Sequence, residues 1–323
     1  MNQAATLKEA IDKHLHELPF ASLQPANLYE PMHYLLGLKG KRIRPILTMM
    51  AYAAVSGRDP MEAMRLSAAL ELFHNFTLMH DDIMDRAPMR RGQPTVHTKW
   101  NEDVAILSGD ALFAWSMGEM VAEFPQHAAA LVEEYTRVSL EVCEGQMEDM
   151  DFASQKDVSI DAYLEMIRKK TAALLGGCLR MGAIAAGADI ETQKEFQAFG
   201  ESMGIAFQLQ DDLMDAFPPE NFGKQLGGDI IECKKTYLTL KAFSLAGPED
   251  HAKLSAHYEK QGGGEEKVKQ VLAIFEGLNI DQITRQLIGE YVQKARNLSQ
   301  SLSEKTAFAP LKSYLQEIAD RKL

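Results

Sequence analysis

Apolar positions along this chain recur at the three-to-four-residue spacing of helices that bury one face. Leu7, Ile11, Leu15 and Leu18 form one such stripe, and Leu298 and Leu302 lie on another within residues 280–303. Stretches rich in Ala, Leu, Met and Glu predict long helices over 61–80, 103–123, 128–150, 161–187, 191–216 and 232–246. Shorter helices are expected over 249–260, 265–277, 280–303 and 307–321. Prolines fall between these stretches or in their first turns, where a missing amide costs least. There is no period-two alternation and no strand followed by a glycine-rich phosphate loop, and "GGG" at 262–264 reads as a flexible break. The pattern predicts an all-α fold, a single helical domain over residues 1–323 built as one large bundle around a central cavity.

Composition narrows the class. Of 323 residues, 46% are apolar and 25% charged, enough for a sizeable core. A formal net charge of −12 argues against a nucleic-acid partner, because phosphate backbones select basic surfaces. Cys143, Cys178 and Cys233 are too few and too scattered for a disulfide framework or a thiolate zinc site, which suits a reducing cytoplasm. "MNQAATLKEAIDKHLHEL" carries Glu9, Asp12 and Glu17 and reads as neither a signal nor a transit peptide. No run of about 18 apolar residues is expected to span a membrane; the nearest candidate, "TAALLGGCLRMGAIAAGA", is interrupted by Arg180, so no stable membrane insertion is expected.

Chemistry enters with "LMHDDIMDRAPMRRG". On a helix Asp81 and Asp85 share a face and Asp82 flanks it, and the residues leading in are too apolar for an ordinary solvated face. The spacing recurs in "FQLQDDLMDAF" as Asp211, Asp212 and Asp215, after another apolar helix. Two such clusters need cations. Oxygen donors without His or Cys select Mg²⁺ or Mn²⁺, which commonly share carboxylates with substrate phosphates. The arginines Arg90 and Arg91 suit the same anion, since guanidinium and phosphate pair through two parallel hydrogen bonds. In "LKGKRIRPIL" a glycine turn leads into a helix opening near Pro45, converging cations and free amides where an anion could sit.

The two motifs in this order, with "GKQLGGDIIECKKT" downstream of the second, resemble the aspartate-rich motifs of the trans-isoprenyl diphosphate synthases, or polyprenyl synthetases. The resemblance runs from about residue 37 to 240 and continues more faintly to the C-terminus. It implies a short-chain prenyltransferase that joins isopentenyl diphosphate head to tail to an allylic diphosphate. Metal, as three Mg²⁺ ions, is implied at Asp81, Asp85 and Asp211, with Asp82, Asp212, Asp215 and Lys170 completing the catalytic set. Lys41, Arg44, His74 and Arg91 would bind the isopentenyl diphosphate, and Arg90, Lys170, Lys224 and Lys234 the allylic one. Thr171 and Gln208 would face the developing cation, and Asp229 fits the second motif's downstream element. Gln146 and Asp149 in "EGQMEDMD" are implied in an outer role, and the C-terminal Arg321 and Lys322 could close a diphosphate site.

Product length, by the same resemblance, is set at the fifth and fourth positions before Asp81. Phe76 and Thr77, with no insertion inside DDIMD, point to C20 (geranylgeranyl) or C15 (farnesyl) diphosphate, the alternative being a longer polyprenyl chain. A terpene cyclase would have no use for the Lys41/Arg44 element. A noncatalytic scaffold or partner subunit would leave the lysines unexplained. A homodimer is implied by the resemblance alone.

Overall fold

The structure is a computed structural model describing residues 3–155, 157–218, 226–259 and 262–320, with side chains as far as Leu315. Among these residues it is helical almost throughout, and the chain divides into two compact units. The first comprises residues 1–136, 178–196 and 302–314; the second comprises 137–177, 197–301 and 315–323.

The chain opens with α1 (Gln3–Glu17), whose predicted stripe Leu7, Ile11 and Leu15 is buried. Next come α2 (Ala26–Gly37), α3 (Ile43–Ser56) and α4 (Met64–Met84). A two-residue antiparallel hairpin, β1 (Met89–Arg90) against β2 (Gln93–Pro94), leads through the short α5 (Val96–Lys99) to α6 (Glu102–Glu123). The main packing of the first unit is α4 on α6, with Leu66, Ala69, Leu70 and Phe73 of α4 and Ala105 and Leu112 of α6 all buried. Asn101 caps α6 by accepting a hydrogen bond from the Val104 amide, 2.8 Å.

Further along lie α7 (Ala128–Ser154), α8 (Ile160–Ile167), a π-helical turn (Arg168–Ala172), α9 (Ala173–Ala185) and α10 (Ile190–Ala216). After them come the single turn α11 (Gly228–Ile231), α12 (Tyr237–Leu245), α13 (Pro248–Tyr258), α14 (Gly264–Gly277), α15 (Ile280–Lys305) and α16 (Ala309–Asp320). Within the second unit Leu213, Ile230, Leu238, Val271 and Phe275 share one core, and Tyr163, Ile167, Leu209 and Leu240 share another.

Four sequence expectations are corrected. Pro31 lies inside α2 rather than at its edge. A hairpin exists, although its strands are two residues each. The helix expected from 232 starts at Tyr237, because Cys233 adopts the left-handed conformation (φ 58°) and ends the short α11 instead. Residues 161–187 hold two helices joined by a π-turn, a register change that apolar spacing does not encode. Among the described residues α6 is also long and apolar enough, by length and composition, to cross a membrane, contrary to the expectation of no such run. Its apolar content is used partly against α4, while Ile106 and Leu107 stay exposed at 43% and 60%.

A buried ion pair ties the first unit together. Arg42, left-handed at φ 52°, donates from Nη1 to Glu71 at 2.7 Å and from Nε to Asp12 of α1 at 2.8 Å. Its Nη2 reaches the carbonyl oxygen of Leu36 at 2.6 Å, so the charge is fully satisfied. Arg42→Ala is expected to strand the Glu71 carboxylate and cost about 3–5 kcal/mol, read as a lowered midpoint in urea unfolding.

Candidate active site

The first unit presents the basic turn and the first aspartate motif. Residues 38–42 turn into α3, whose N-terminus has no side-chain cap; the first amides of a helix have no partner within it. Lys41 is exposed at that turn, and Arg44 donates from Nη1 to Nε2 of His74, 3.0 Å away. Burial, reinforced by Arg44, Arg91, Arg90 and Arg42, holds His74 well below the usual imidazole range. It is therefore a neutral acceptor that orients Arg44 rather than one more cation. Arg91, at φ 52°, lays its guanidinium against the turn, so that a β-carbon on Gly40 would sit 2.9 Å from Arg91 Nη1. Sequence-distant cations are thus gathered: Arg44 is hydrogen-bonded to His74, and the charge of Arg91 also acts on that imidazole.

Asp81 sits in the last turn of α4, and Asp85 follows as its C-cap, its amide donating to the Asp81 carbonyl at 2.8 Å. Asp82 behaves differently. It is 2% exposed and is gripped by Arg90, whose Nε lies 2.8 and 2.9 Å from the two carboxylate oxygens and whose Nη2 lies 2.7 Å from Oδ1. The two-residue hairpin carries Arg90 back onto α4 for this purpose, which leaves Asp85 exposed and Asp81 only partly covered.

Phe76 packs its ring 5.2 Å from that of Phe113, 4.8 Å from His80 and 5.7 Å from Phe73. Tyr135 joins the cluster 5.8 Å from Phe113. Thr77 turns its hydroxyl back to the His74 carbonyl, 2.8 Å, and contributes no comparable bulk.

The second unit repeats the division of labour. Asp212 is 6% exposed; Tyr163 of α8 donates its hydroxyl to Oδ2, and Gln208 donates to Oδ1 at 3.0 Å. Gln208 in turn accepts from the Thr171 hydroxyl at 3.1 Å, so Tyr163, Asp212, Gln208 and Thr171 form one relay of hydrogen bonds. Asp211 is only partly covered. Asp215 accepts from the Gly228 and Asp229 amides at 3.1 and 3.0 Å, fixing the start of α11. Lys234 is paired with Asp229 (3.3 Å) and Glu232 (3.1 Å). Burial pushes the Asp229 carboxyl up, and Lys234 pulls it part of the way back.

Lys170 and Thr171 stand on the π-turn. Lys170 Nζ lies 2.5 Å from Asp149 Oδ2, giving Asp149 a visible task, while Gln146 is buried nearby in sequence. The turn presses on α7: a β-carbon on Gly145 would stand 2.3 Å from the Lys170 amide nitrogen, so only glycine fits there. Tyr163, Gly145 and Phe113 were not singled out from sequence. A tyrosine on the buried stripe of "IDAYLEMI" was the available sign, since a buried hydroxyl needs a partner. Lys224, Arg321 and Lys322 lie outside the described residues.

Among the described residues no group of three or more His, Cys, Asp or Glu stands ready to hold a metal. Asp81 and Asp85 in the first unit, and Asp211 in the second, offer hard carboxylate oxygens, the donor type that suits Mg²⁺.

A family model described as polyprenyl synthetase matches residues 25–275. The chain belongs to the polyprenyl synthetase family. It is 35% identical to the geranylgeranyl pyrophosphate synthase of Geoglobus acetivorans over 99% of this chain and 96% of that one. It is 35% identical to the geranylgeranyl diphosphate synthase of Methanosarcina mazei over 99% and 94%. A crystal structure of a geranylgeranyl pyrophosphate synthase superposes with a TM-score of 0.89 at 39% identity, covering 100% of this chain and 98% of the other. This polyprenyl synthetase is an all-α prenyltransferase of the short-chain kind.

Burial pushes Asp212 up to about 7, with Asp229 and Asp211 adding to it and the Tyr163 and Gln208 hydrogen bonds opposing it. A folded-state pKa above the unfolded value of 3.8 stabilises the protonated form, so its contribution is full below 3.8 and is lost as pH rises through about 7. For the metal-free protein, Asp212→Asn is expected to flatten the fall in melting temperature across that window by up to about 4 kcal/mol of stability. Differential scanning calorimetry in chelator at a series of pH values checks this.

Proposed function

We propose that this polyprenyl synthetase makes geranylgeranyl diphosphate by Mg²⁺-dependent head-to-tail addition of isopentenyl diphosphate to allylic diphosphates. The observation that carries the reading is the repeated division within each motif. One aspartate is buried and held by side chains of the protein, Asp82 by Arg90 and Asp212 by Tyr163 and Gln208, while Asp81, Asp85 and Asp211 are less buried and would be the ones to hold metal.

Lys41, Arg44 and Arg91 hold the isopentenyl diphosphate, and neutral His74 keeps Arg44 in place without adding charge. Lys170, Arg90, Lys224 and Lys234 take the charge of the allylic diphosphate. Mg²⁺ or Mn²⁺, three ions by resemblance, would be held by Asp81, Asp85 and Asp211 and supplies further charge compensation to the leaving group. The allylic carbon–oxygen bond breaks, the isopentenyl double bond attacks the resulting cation, and the released diphosphate removes the proton. Thr171 and Gln208, joined by a hydrogen bond, would face that cation. Apolar walls limit capture of the cation by water.

The aromatic group of Phe73, Phe76, Phe113 and Tyr135 supports a short product, because a growing chain directed at it meets two rings rather than space. We also read the protein as a cytoplasmic homodimer, with the exposed Ile106 and Leu107 of α6 at the subunit contact.

Purified protein given Mg²⁺, labelled isopentenyl diphosphate and the C5, C10 or C15 allylic diphosphate is expected to yield a C20 end product. A C15 end product would correct the length, and no turnover with any starter would sink the reading. Phe76→Ala is expected to shift products to C25 and longer, sized by chromatography after dephosphorylation. Unchanged length would remove Phe76 from the pocket floor. Ile106→Glu with Leu107→Glu is expected to convert the dimer to monomer in sedimentation velocity.

A further inference from the structure

Prenyl transfer has no use for a thiol, yet Cys233 occupies a position that its backbone reserves for another residue. Its amide donates to the Ile230 carbonyl at 3.1 Å and the Lys234 amide to that of Asp229 at 2.9 Å, closing α11. Such a helix-terminating position is left-handed, here φ 58°, where glycine carries no steric penalty and a β-carbon does. A strained residue next to Lys234 calls for a reason.

The reason lies in what its sulfur meets. Lys267, in the first turn of α14, is 5% exposed and brings Nζ to 3.0 Å from Cys233 Sγ and 3.5 Å from the Ile231 carbonyl. The run "GGG" makes this approach available. Gly262, Gly263 and Gly264 all have positive φ (93°, 88° and 56°), the Gly262 amide donates to the Ile231 carbonyl at 2.9 Å, and the Lys267 stem packs over Gly263. Cys233 itself remains half-buried, within reach of a small oxidant. The other cysteines differ: Cys143 is exposed, and Cys178 is buried with its thiol pushed up to about 12 by desolvation.

We propose that Cys233 and Lys267 form a peroxide-responsive covalent site, closing a sulfur–nitrogen bond that fastens the Asp229–Lys234 segment to α14. Thiols beside cationic side chains and partly open to solvent are the ones peroxides select. Cys233 sulfur attacks a peroxide oxygen, the O–O bond breaks, and the thiol becomes a sulfenic acid as peroxide is reduced to water. The Lys267 amine then attacks the sulfur, the S–OH bond breaks, and hydroxide leaves as water with a proton from that nitrogen. The sum is one thiol, one amine and one hydrogen peroxide giving one sulfenamide and two waters. Two equivalents of an added thiol reverse it, regenerating Cys233 and Lys267 and forming a disulfide of the reductant.

The test treats the purified full-length protein with hydrogen peroxide and digests it without reductant. Mass spectrometry is expected to find the peptides of Cys233 and Lys267 joined and lighter by two hydrogens, with the link lost in dithiothreitol. The melting temperature is expected to rise by several degrees on oxidation and to return on reduction, as for any cross-link that closes a loop. Lys267→Arg, which keeps the cation but is a poor nucleophile, is expected to leave Cys233 to proceed to sulfinic acid. Cys233→Gly, which suits the left-handed turn, is expected to fold and show no shift in melting temperature with peroxide. Sulfinic acid at Cys233 of the unaltered protein with Lys267 untouched would overturn the proposal. So would oxidation confined to Cys143.

Discussion

A carboxylate removed from water must be answered by partners or it neutralises itself, and two of the motif aspartates of this protein live under that constraint. Asp82 and Asp212 hold the same place in their motifs and are both buried, but they are answered differently. Arg90 meets Asp82 with a full charge through two nitrogens. Tyr163 and Gln208 meet Asp212 with neutral donors, which leaves part of the desolvation cost unmatched and its pKa raised. Much of the local architecture follows. The hairpin at 89–94 returns Arg90 to α4, and in doing so it delivers Arg91 to the turn at Gly40. The anchoring of Asp212 joins α8 to α10 and draws in Thr171 from the π-turn.

Like charges impose the complementary problem. Arg42, Arg44, Arg90 and Arg91 all act on His74, and a protonated imidazole among them would add repulsion to desolvation. The protein meets this by committing Arg42 to Glu71 and Asp12, committing Arg90 to Asp82, and keeping His74 neutral. Arg44 and Arg91 are left with their charge pulled below the usual guanidinium range by burial, which an anionic substrate would relieve. Fixed cations of this kind can hold an anionic group in place without reorganising around it.

One helix packs differently on different faces. From α6, Phe113 meets Phe76 and Tyr135, Ala105 and Leu112 are buried, and Ile106 and Leu107 remain outside.

Sequence alone determined the helical class, nearly every helix, both aspartate motifs and the family, because apolar period and charge spacing are local properties written directly in residue order. By resemblance it put Lys41, Arg44, His74 and Arg91 at one diphosphate site, and the structure shows a hydrogen bond between Arg44 and His74. Tertiary structure decided which aspartate of each motif is buried, since helical spacing distinguishes faces but not what covers them. It decided that Asp149 holds Lys170, that Tyr163 holds Asp212 and that Lys267 reaches Cys233 across 34 positions. It also decided the π-turn and the left-handed residues Arg42, Arg91 and Cys233, which local propensity disfavours. Those backbone states exist because partners distant in sequence hold them, and no reading of neighbouring residues contains such partners.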